Sequence, residues 1–409
     1  MQKQKMLFVT FDLIRLGDPP ESLAIASILA ALKSCDEVKS AYEFEHLSIN
    51  VFSGEDWRVK AAPYQFSGYS YIAVSAYVWA ERYINDFLAH IRAERFGGKI
   101  VLGGYQIAND TPESYKARYP LANIFIEGFA ELKLLKLLTG KSYCKRDMAS
   151  SYLTGGIEIR RDMPMVRLET KRGCPYACSF CRHRDVIDNS VIELNKNRVM
   201  DELDFIISKG VRKINIVDPI FHVGRNYMGY LSEMTSLCEN WKADTLISLQ
   251  CRLEFLSSGR GCEFLDLCKR GKFELEFGLQ TCNELESQLI NRRNDIPRIE
   301  TALEMLNKSG ISHEISLIYG LPGQTLDSFS ASVNFLKQRS CAVIRAYPLK
   351  LLRGTPLFKE KEKYGFEEKE CEYGIPYVVS SSSFTYGDWL KMQEIATSLN
   401  DFSQYLFDE

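Results

Sequence analysis

Short apolar runs alternate with amphipathic segments along the first third of the chain. The strand-like runs are KMLFVTF, EHLSINVF, YIAVSAY, KIVLGGY and NIFIEGF, and the helical segments are ESLAIASILAALKS, ERYINDFLAHIRAE and AELKLLKLL. Strands that alternate with helices predict an α/β fold with a parallel, doubly wound, Rossmann-like sheet over residues 1–145. Ligands of such sheets lie beyond the carboxyl ends of the strands.

The alternation resumes after a polar stretch from Thr139 to Gly156, TGKSYCKRDMASSYLTGG, which is typical of a linker between domains. The strand-like runs of the second region are MPMVRLE, KINIVD, LISLQCR, FELEFGLQ, HEISLIYGLPG and AVIRAYPL. About six strand–helix units with right-handed crossovers predict a full or partial (β/α)6 TIM barrel over residues 146–350.

The remaining residues, 351–409, are expected to form a small α/β extension that packs on the barrel. They begin with the segment LLRGTPLFKEKEKYGFEEKECEYG, whose mixed charges we interpret as a solvated helix face. A strand, a turn and an amphipathic helix are predicted after it.

Composition and charge restrict the class of protein. The 51 Lys and Arg residues nearly balance the 53 Asp and Glu residues, which argues against a nucleic-acid or membrane-surface partner. No apolar run reaches the roughly 18 residues that span a bilayer, and the N-terminal segment resembles a first strand more than a signal peptide. Twelve cysteines, mostly scattered, fit a reducing, cytoplasmic location better than a secreted disulfide scaffold.

Three cysteines are concentrated in LETKRGCPYACSFCRHR, at positions 174, 178 and 181. One interpretation is three unrelated buried thiols, although Gly173 and Pro175 break regular structure beside them. A second is a zinc site with His183 as the fourth ligand, although structural zinc sites usually pair two separated ligand couples. A third is an iron–sulfur cluster, because clusters are held by thiolates on short loops. Three thiolates on a four-iron cluster would leave one iron open to a substrate or cofactor.

The spacing Cys174-x3-Cys178-x2-Cys181, with Phe180 before the last cysteine, resembles the signature of the radical S-adenosylmethionine (SAM) superfamily. The resemblance implies that these cysteines hold a [4Fe–4S] cluster. In that family the open iron binds the amino and carboxylate groups of SAM. An electron from the cluster then cleaves the sulfonium and releases a 5′-deoxyadenosyl radical.

Downstream segments resemble the same family in the expected order, from roughly Pro164 to Phe358. The resemblance implies that Arg252 contacts the SAM carboxylate and that Gln280 and Thr281 face its ribose and amino-acid part. Many members carry a Gly-Gly-Glu tripeptide after the second strand, and this chain has Val-Asp-Pro there. The acidic residue that ends this segment is Asp218, and the resemblance implies that it lies at the SAM amino group, although the tripeptide departs from the family's pattern.

The front region resembles the cobalamin (B12)-binding domain that precedes the barrel in many radical SAM enzymes. Gly103 and Gly104 would let backbone approach the ligand closely, and Ser75 would supply a hydrogen bond at a strand end. An ordinary doubly wound domain with a tight turn is the alternative.

The loop after the first strand departs from the pattern of cobalamin domains that ligate cobalt through Asp-x-His-x-x-Gly. Asp12 and Gly17 have the right spacing, but Ile14 stands where the histidine would be. We therefore expect cobalamin without a histidine ligand, as in the subgroup that includes the tryptophan methylase of thiopeptide biosynthesis. The alternative is a domain that has lost cobalamin and only shapes a substrate cleft.

The resemblance implies a cobalamin-dependent radical SAM C-methyltransferase of natural-product or cofactor biosynthesis. Its expected partners are a small-molecule or peptide substrate and an electron donor such as a flavodoxin or ferredoxin. A non-methylating rearrangement or cyclisation is the alternative among enzymes, and a zinc-stabilised binding module is the alternative from another class. Residues proposed beside the cluster or cavity, with structural packing as the alternative, are Arg182, His183, Arg184, Tyr77, Trp79, Tyr105, Tyr347 and Trp389.

Overall fold

The structure is a computed structural model that describes residues 3–108, 110–143, 149–154, 157–160, 163–183, 190–241 and 244–399. It divides into two compact units. Unit 1 comprises Met1–Ile159 with Glu372–Ile375, and unit 2 comprises Arg160–Cys371 with Pro376–Glu409. The domain boundaries given above stay predictions. None of the helices in the described ranges is both long enough and apolar enough to cross a membrane.

Unit 1 is built on a five-stranded parallel sheet with strand order β2-β1-β3-β4-β5. Its strands are β1 (Gln4–Asp12), β2 (Tyr42–Asn50), β3 (Tyr71–Ser75), β4 (Lys99–Gly103) and β5 (Ile124–Ile126). Its helices are α1 (Leu23–Ser34), α2 (Asp36–Ala41), α3 (Trp57–Ala61), α4 (Glu81–Ala93), α5 (Tyr105–Ala108), α6 (Pro112–Arg118) and α7 (Ala130–Thr139).

Strand β1 lies between β2 and β3 in this sheet and is buried on both faces. Val9 and Phe11 pack with residues of α4 such as Phe87, whereas the alternate residues Met6 and Phe8 pack with α1 and α7. A strand covered on both faces needs a continuous apolar run, and this explains the segment MLFVTF. The prediction of a doubly wound parallel sheet is confirmed.

Unit 2 is built on a six-stranded parallel sheet with strand order β13-β12-β11-β10-β9-β6. Its strands are β6 (Met165–Leu168), β7 (Lys171–Arg172), β8 (Ile192–Glu193), β9 (Lys213–Ile216), β10 (Leu246–Cys251), β11 (Phe273–Gln280), β12 (His313–Tyr319), β13 (Val343–Pro348), β14 (Glu367–Glu370) and β15 (Pro376–Ser380). Its helices are α8 (Lys196–Ser208), α9 (Tyr227–Trp241), α10 (Leu253–Leu256), α11 (Gly261–Arg270), α12 (Glu284–Leu289), α13 (Ile296–Ser309), α14 (Leu326–Gln338), α15 (Pro356–Lys359) and α16 (Tyr386–Leu399).

The six parallel strands follow the chain order of the predicted barrel, with helices in the crossovers. Their residues alternate between a buried apolar set, such as Leu275 and Ile315, and a polar set that is partly exposed. The polar set includes the ion pairs Lys213–Glu274 (2.5 Å) and Arg345–Glu314 (2.8 Å). The prediction of a (β/α)6 partial barrel is confirmed.

The charged tail differs from the expectation. Glu367–Glu370 forms the exposed strand β14, which pairs antiparallel with β15, so the interpretation of this part as a solvated helix face was wrong. Antiparallel pairing with the following strand β15 decides its conformation, and charge patterning carries no information about that pairing. The helix predicted after it is present as α16, which packs on α14 and β13.

Two adjacent glycines at the end of β4 differ in backbone conformation and in the space around them. Gly104 has φ +117°, and a Cβ there would lie 2.7 Å from the carbonyl oxygen of Ala76, whereas the nearest atom to a Cβ at Gly103 is 3.6 Å away. We predict that Gly104→Ala lowers the free energy of unfolding of the full chain by about 1–3 kcal/mol. The matched variant Gly103→Ala changes it by less than about 1 kcal/mol. Urea unfolding measures both, and equal losses would contradict the prediction.

Candidate functional site

The cysteine loop follows β6 at the carboxyl end of the parallel sheet. Residues Lys171 and Arg172 pair antiparallel with β8, and Gly173 then turns the chain with φ +88°. A Cβ at Gly173 would lie 2.1 Å from the carbonyl oxygen of Ser190, so only glycine fits this close approach of two backbones. The turn delivers Cys174 directly after a hydrogen-bonded strand.

The three thiols of the loop are reduced and largely shielded from solvent. Cys174 and Cys178 are buried, and Cys181 is half-buried. Burial raises the pKa of the Cys174 and Cys181 thiols, and the charges of the other loop cysteines act in the same direction. The backbone N–H of His183 donates to Cys181 Sγ at 3.3 Å.

This donor set fits an iron–sulfur cluster in its chemistry. Within the described ranges, no three His, Cys, Asp or Glu side chains form a group that could hold one metal ion. In a [4Fe–4S] cluster each thiolate ligates its own iron, so the thiols need not converge on a single point.

Arg252 lies beside the cysteine loop. Its guanidinium lies 4.6 Å from the centre of the Tyr176 ring, and its Nη2 donates to Glu254 (3.1 Å) and to the carbonyl oxygen of Arg293 (3.0 Å). Its positive charge lowers the pKa of Cys174, against the larger opposing effect of burial. The structure therefore brings together Arg252 and the cysteines, as a carboxylate-binding role beside the cluster requires.

Gln280 ends β11 in a conformation that is unusual for a residue with a side chain. Its φ is +73°, the pairing with β12 shifts register between Gly278 and Gln280, and its buried Oε1 has no hydrogen-bond partner in the described residues. A Cβ at Gly278 would lie 2.4 Å from Gln280 Nε2. Backbone strain and an unpartnered polar atom at the carboxyl end of a barrel strand are typical of a ligand-binding position.

Asp218 and Thr281 are placed differently from what the resemblance implied. Both are fully buried. The Asp218 carboxylate accepts hydrogen bonds from the backbone N–H groups of Thr170 (2.7 Å) and Lys171 (3.2 Å) and from the Thr170 hydroxyl (2.5 Å). The Thr281 hydroxyl donates to Glu286 at 2.5 Å. Their described interactions are therefore internal, and SAM contacts for them stay predictions that this geometry does not favour.

Two ionisable side chains near Asp218 escaped the sequence analysis. Lys171 is fully buried, lies 3.9 Å from Asp218 and donates to the carbonyl oxygens of Phe221 (2.5 Å) and Val223 (2.9 Å). His222 stacks on Phe255 with ring centres 4.4 Å apart, and burial lowers its pKa to about 3. Nothing in the sequence separates a buried lysine from a surface lysine, so only tertiary contacts reveal this cluster.

A second segment, Leu289–Arg292, docks on the cysteine loop. The backbone N–H of Ser179 donates to the carbonyl oxygen of Ile290 (2.9 Å), and Asn291 Nδ2 donates to that of Ala177 (2.8 Å). Arg292 Nη1 lies 3.8 Å from Cys178 Sγ. The segment lies more than a hundred residues beyond the loop, and its sequence LINR is typical of an ordinary helix end, so the sequence carried no signal of this contact.

In unit 1 the predicted ligand-binding residues meet at the carboxyl ends of β3 and β4. Ser75 pairs with Gly103 in the parallel register, and Gly104 follows in the turn. The buried Ser75 Oγ has no hydrogen-bond partner among the described residues. An orphaned hydroxyl beside a glycine turn fits a ligand that accepts or donates one hydrogen bond there.

The loop after β1 is held by its neighbours. The Asp12 carboxylate accepts hydrogen bonds from Thr10 (2.5 Å) and Ser48 (2.8 Å), and the backbone of Ile14 is bonded in both directions to the Asn50 amide. Gly17 takes a positive φ of +88°.

The aromatic candidates fall into two groups. Tyr77 stacks on Trp79 with ring centres 5.0 Å apart, and Tyr105 meets Tyr77 edge-on at 6.0 Å, near the carboxyl ends of β3 and β4. In unit 2, Trp389 is buried against Tyr319 and Tyr377, as a core residue would be. Tyr347 lies on β13 in the polar set of the sheet.

The residues after Cys181 are only partly covered by the structure. Arg182 donates to the carbonyl oxygen of Arg353, and His183 is exposed. Arg184 lies outside the described residues. Contacts of these three residues with a cluster or substrate stay predictions.

Comparison with known sequences gives matches over the same region. Residues 168–336 match the family model of the radical SAM superfamily. The cobalamin-dependent radical SAM methyltransferase TokK of Streptomyces tokunonensis is 24% identical over 72% of this chain and 49% of its own length. The bacteriochlorophyllide d C-12(1)-methyltransferase of Chlorobaculum tepidum is 22% identical over 73% of this chain and 67% of its own. The chain thus spans about half the length of TokK.

Solved structures show the same fold over nearly the whole chain. The radical SAM methyltransferase TsrM from Kitasatospora setae superposes with a TM-score of 0.75 at 15% identity, covering 98% of this chain and 90% of its own. The cobalamin-dependent SAM radical enzyme OxsB superposes with a TM-score of 0.67 at 15% identity, covering 96% and 66%. Residues 168–336 thus match the radical SAM superfamily, and the chain as a whole has the fold of TsrM and OxsB.

Proposed function

We propose that this protein is a cobalamin-dependent radical SAM methyltransferase. The observation that carries the proposal is the cysteine loop, which presents three shielded thiols beside Arg252 at the carboxyl end of a radical SAM barrel. TsrM and OxsB are described with cobalamin bound, TsrM also with a [4Fe–4S] cluster and OxsB with SAM. Because the chain spans only about half the length of TokK, the reaction and the cofactors of this protein are part of the proposal.

In this proposal Cys174, Cys178 and Cys181 hold a [4Fe–4S] cluster that supplies the electron for reductive cleavage of SAM. Arg252 binds the SAM carboxylate. Its guanidinium lies beside the loop and already donates hydrogen bonds to a carboxylate, that of Glu254, and to the carbonyl oxygen of Arg293. Gln280 contributes its Oε1, which lacks a hydrogen-bond partner among the described residues, to the ribose or amino-acid part of SAM. An external flavodoxin or ferredoxin provides the electron.

Unit 1 binds cobalamin at the carboxyl ends of β3 and β4. Ser75 supplies a hydrogen bond, and Gly103 and Gly104 leave the backbone accessible to the ligand. The loop after β1 offers Ile14 where a cobalt-ligating histidine would stand, so the cobalt has no histidine ligand from this loop.

The most specific part of the proposal is methyl transfer to a carbon atom of a small molecule or peptide. It is supported by the methyltransferases among the relatives, namely TokK and the bacteriochlorophyllide d C-12(1)-methyltransferase. A rearrangement or cyclisation without methyl transfer is the alternative, because radical SAM chemistry begins with the same cleavage in both cases.

We predict that Cys174→Ala, Cys178→Ala and Cys181→Ala each abolish iron uptake. Losing a ligand should cost more than the 10–100-fold typical of outer contacts, so formation of 5′-deoxyadenosine should fall at least about 100-fold. The matched control is Cys262→Ala, since Cys262 is exposed on α11. Anaerobic reconstitution with iron and sulfide, followed by iron analysis and chromatography, measures both. Uptake of zinc without iron would instead favour the binding module.

We predict that cobalamin bound to the protein shows the absorption spectrum of a form without a histidine ligand. The physical reason is that Ile14 offers no atom that can coordinate cobalt. Absorption spectroscopy of the purified, cobalamin-loaded protein measures this. A histidine-ligated spectrum would overturn the assignment of this loop, and absence of any binding would leave unit 1 as a domain that shapes a cleft.

We predict that SAM labelled in its methyl group transfers label to a product. The reconstituted enzyme is incubated with a reductant, cobalamin, labelled SAM and a metabolite extract of cells that express it, and the products are separated by mass. A labelled product supports methyl transfer to substrate. Formation of 5′-deoxyadenosine with substrate consumption but no labelled product would replace methyl transfer with rearrangement or cyclisation.

A further inference from the structure

The six-stranded sheet of unit 2 has a polar face that the proposed cofactor contacts use only at the end of β11. Polar residues alternate with buried apolar residues along β9, β11 and β12. In a barrel of strands and helices the helices form the outer ring, so this polar face lies toward the barrel interior. Its central members are Asn215, Ser248, Gln250, Glu274, Glu276 and Glu314. Gln250 is exposed although its strand β10 has a neighbour on each side, so the face is accessible to solvent at this level.

The carboxylates of the polar face are unevenly paired. Glu274 forms an ion pair with Lys213 at 2.5 Å, and Glu314 forms one with Arg345 at 2.8 Å. Glu276 lies two residues after Glu274 on β11 and directly opposite Glu314 in the parallel register. It forms no ion pair in the part of the chain that the structure describes. Because like charges on neighbouring strands repel each other, a positive charge at Glu276 would stabilise this arrangement.

The surroundings of Glu276 provide little to stabilise its ionised form. Burial raises its pKa, the charges of Glu314 and Glu274 add to the rise, and the charge of Lys213 and a hydrogen bond from Gln250 oppose it. That hydrogen bond, from Gln250 Nε2 at 3.4 Å, is the only one that Glu276 receives within the described ranges. A half-buried carboxylate with a single long hydrogen bond is stabilised by a ligand that brings a cation to it.

Two further oxygens of the polar face lack partners. Ser248 is 1% exposed, and neither its Oγ nor Asn215 Oδ1 has a hydrogen-bond partner among the described residues. On β10, Ser248 stands between the buried residues Ile247 and Leu249, so its hydroxyl belongs to the polar face. Asn215 is its direct neighbour in the register. Buried polar atoms are normally hydrogen-bonded, so these oxygens and the Glu276 carboxylate together indicate a ligand that is rich in donors.

An ammonium group fits this set of acceptors better than a metal ion does. Within the described ranges, no three His, Cys, Asp or Glu side chains form a group that could hold one metal ion. An ammonium group carries one positive charge and three N–H donors. It can therefore donate a charge-assisted hydrogen bond to Glu276 and still donate to neutral oxygens nearby.

We infer that the polar face binds the substrate through a protonated primary amine that Glu276 holds, which makes the substrate an amine-bearing small molecule or peptide. The inference rests on the proposed function, because it names the substrate class of that enzyme. Glu276 lies four residues before Gln280 on the same face of β11, so the amine lies deeper in the barrel than the strand end at which SAM is proposed. The ammonium group anchors the substrate, and a carbon atom elsewhere in the molecule reacts.

The first test changes the substrate and uses the unmodified full-length protein. A metabolite extract of cells that express the protein is treated with acetic anhydride and then with hydroxylamine, which leaves acetyl groups on amines but removes them from hydroxyls and thiols. The control extract receives hydroxylamine alone. Reconstituted wild type is incubated with a reductant, cobalamin, SAM and each extract, and extract-dependent 5′-deoxyadenosine is measured. We expect acetylation to lower its formation at least about tenfold, because the charge-assisted hydrogen bond is lost.

The second test changes the protein. Glu276→Gln keeps the size of the side chain and removes its charge, and Glu239→Gln is the matched control, because Glu239 is exposed on α9. Rates are measured over a dilution series of the untreated extract and over a series of SAM concentrations. For Glu276→Gln we expect the extract concentration at half-maximal rate to rise at least about tenfold, and the SAM concentration at half-maximal rate to stay within about twofold of wild type. Glu239→Gln should match wild type in both series. An unchanged extract dependence, or a change in SAM dependence alone, would overturn the role of Glu276.

A melting measurement separates substrate binding from a structural role. Replacing the Glu276 carboxylate removes its repulsion with Glu314 and Glu274, so cofactor-free Glu276→Gln should melt at or above the temperature of cofactor-free wild type. A lower melting temperature would assign Glu276 to folding and overturn its role in binding. The comparison of acetylated and control extracts decides the amine class in either case, since it uses wild type alone.

Failure of this inference differs from failure of the proposed function. A wild type that assembles no cluster and cleaves no SAM with either extract contradicts the proposed function, and the inference falls with it. A wild type that forms 5′-deoxyadenosine equally with acetylated and control extracts retains the proposed function and overturns only the amine.

Discussion

The buried carboxylate of Asp218 fixes the start of the cysteine loop, and the geometry of the candidate site depends on it. It receives the backbone N–H groups of Thr170 and Lys171, which would otherwise be unsatisfied where β6 ends. Burial raises the pKa of Asp218 to about 6, and the nearby Lys171 ammonium and the hydrogen bonds act against that rise. Because these hydrogen bonds fix the end of the strand, they also fix where Gly173 and Cys174 begin the cysteine loop.

Around that anchor, the loop is shielded by groups that offer positive charge and hydrogen-bond donors. Arg252 is held by an ion pair to Glu254, whereas Arg292 is held by carbonyl contacts and faces a thiol. In unit 1, the Ser75 hydroxyl at the carboxyl end of β3 has no hydrogen-bond partner in the ranges that the structure describes, and it lies beside the Gly104 turn.

Much of the fold follows from local patterns. Apolar runs such as MLFVTF, and helices with apolar residues on one face, indicated both parallel sheets. A strand that is buried on both faces is a continuous apolar run, and a helix that is buried on one face has apolar residues at regular spacing. The tail escaped this logic: Glu367–Glu370 is fully polar, and its strand exists only through pairing with β15. In the site, the cysteine spacing was readable because its members are close in sequence.

The sequence by itself determined the alternation of strands and helices, the cysteine loop and the missing histidine at Ile14. Only the tertiary structure decided which polar residues are held by internal hydrogen bonds and which lack a partner within the described part of the chain. Asp218 and Thr281 look like site residues at strand ends but are engaged in internal hydrogen bonds, whereas buried oxygens of Gln280 and Ser75 have no hydrogen-bond partner among the described residues. Arg292 reaches Cys178 from 114 residues away in the chain. Contacts between residues so far apart in the sequence depend on how the strands and helices of unit 2 pack together, and no local sequence pattern indicates them.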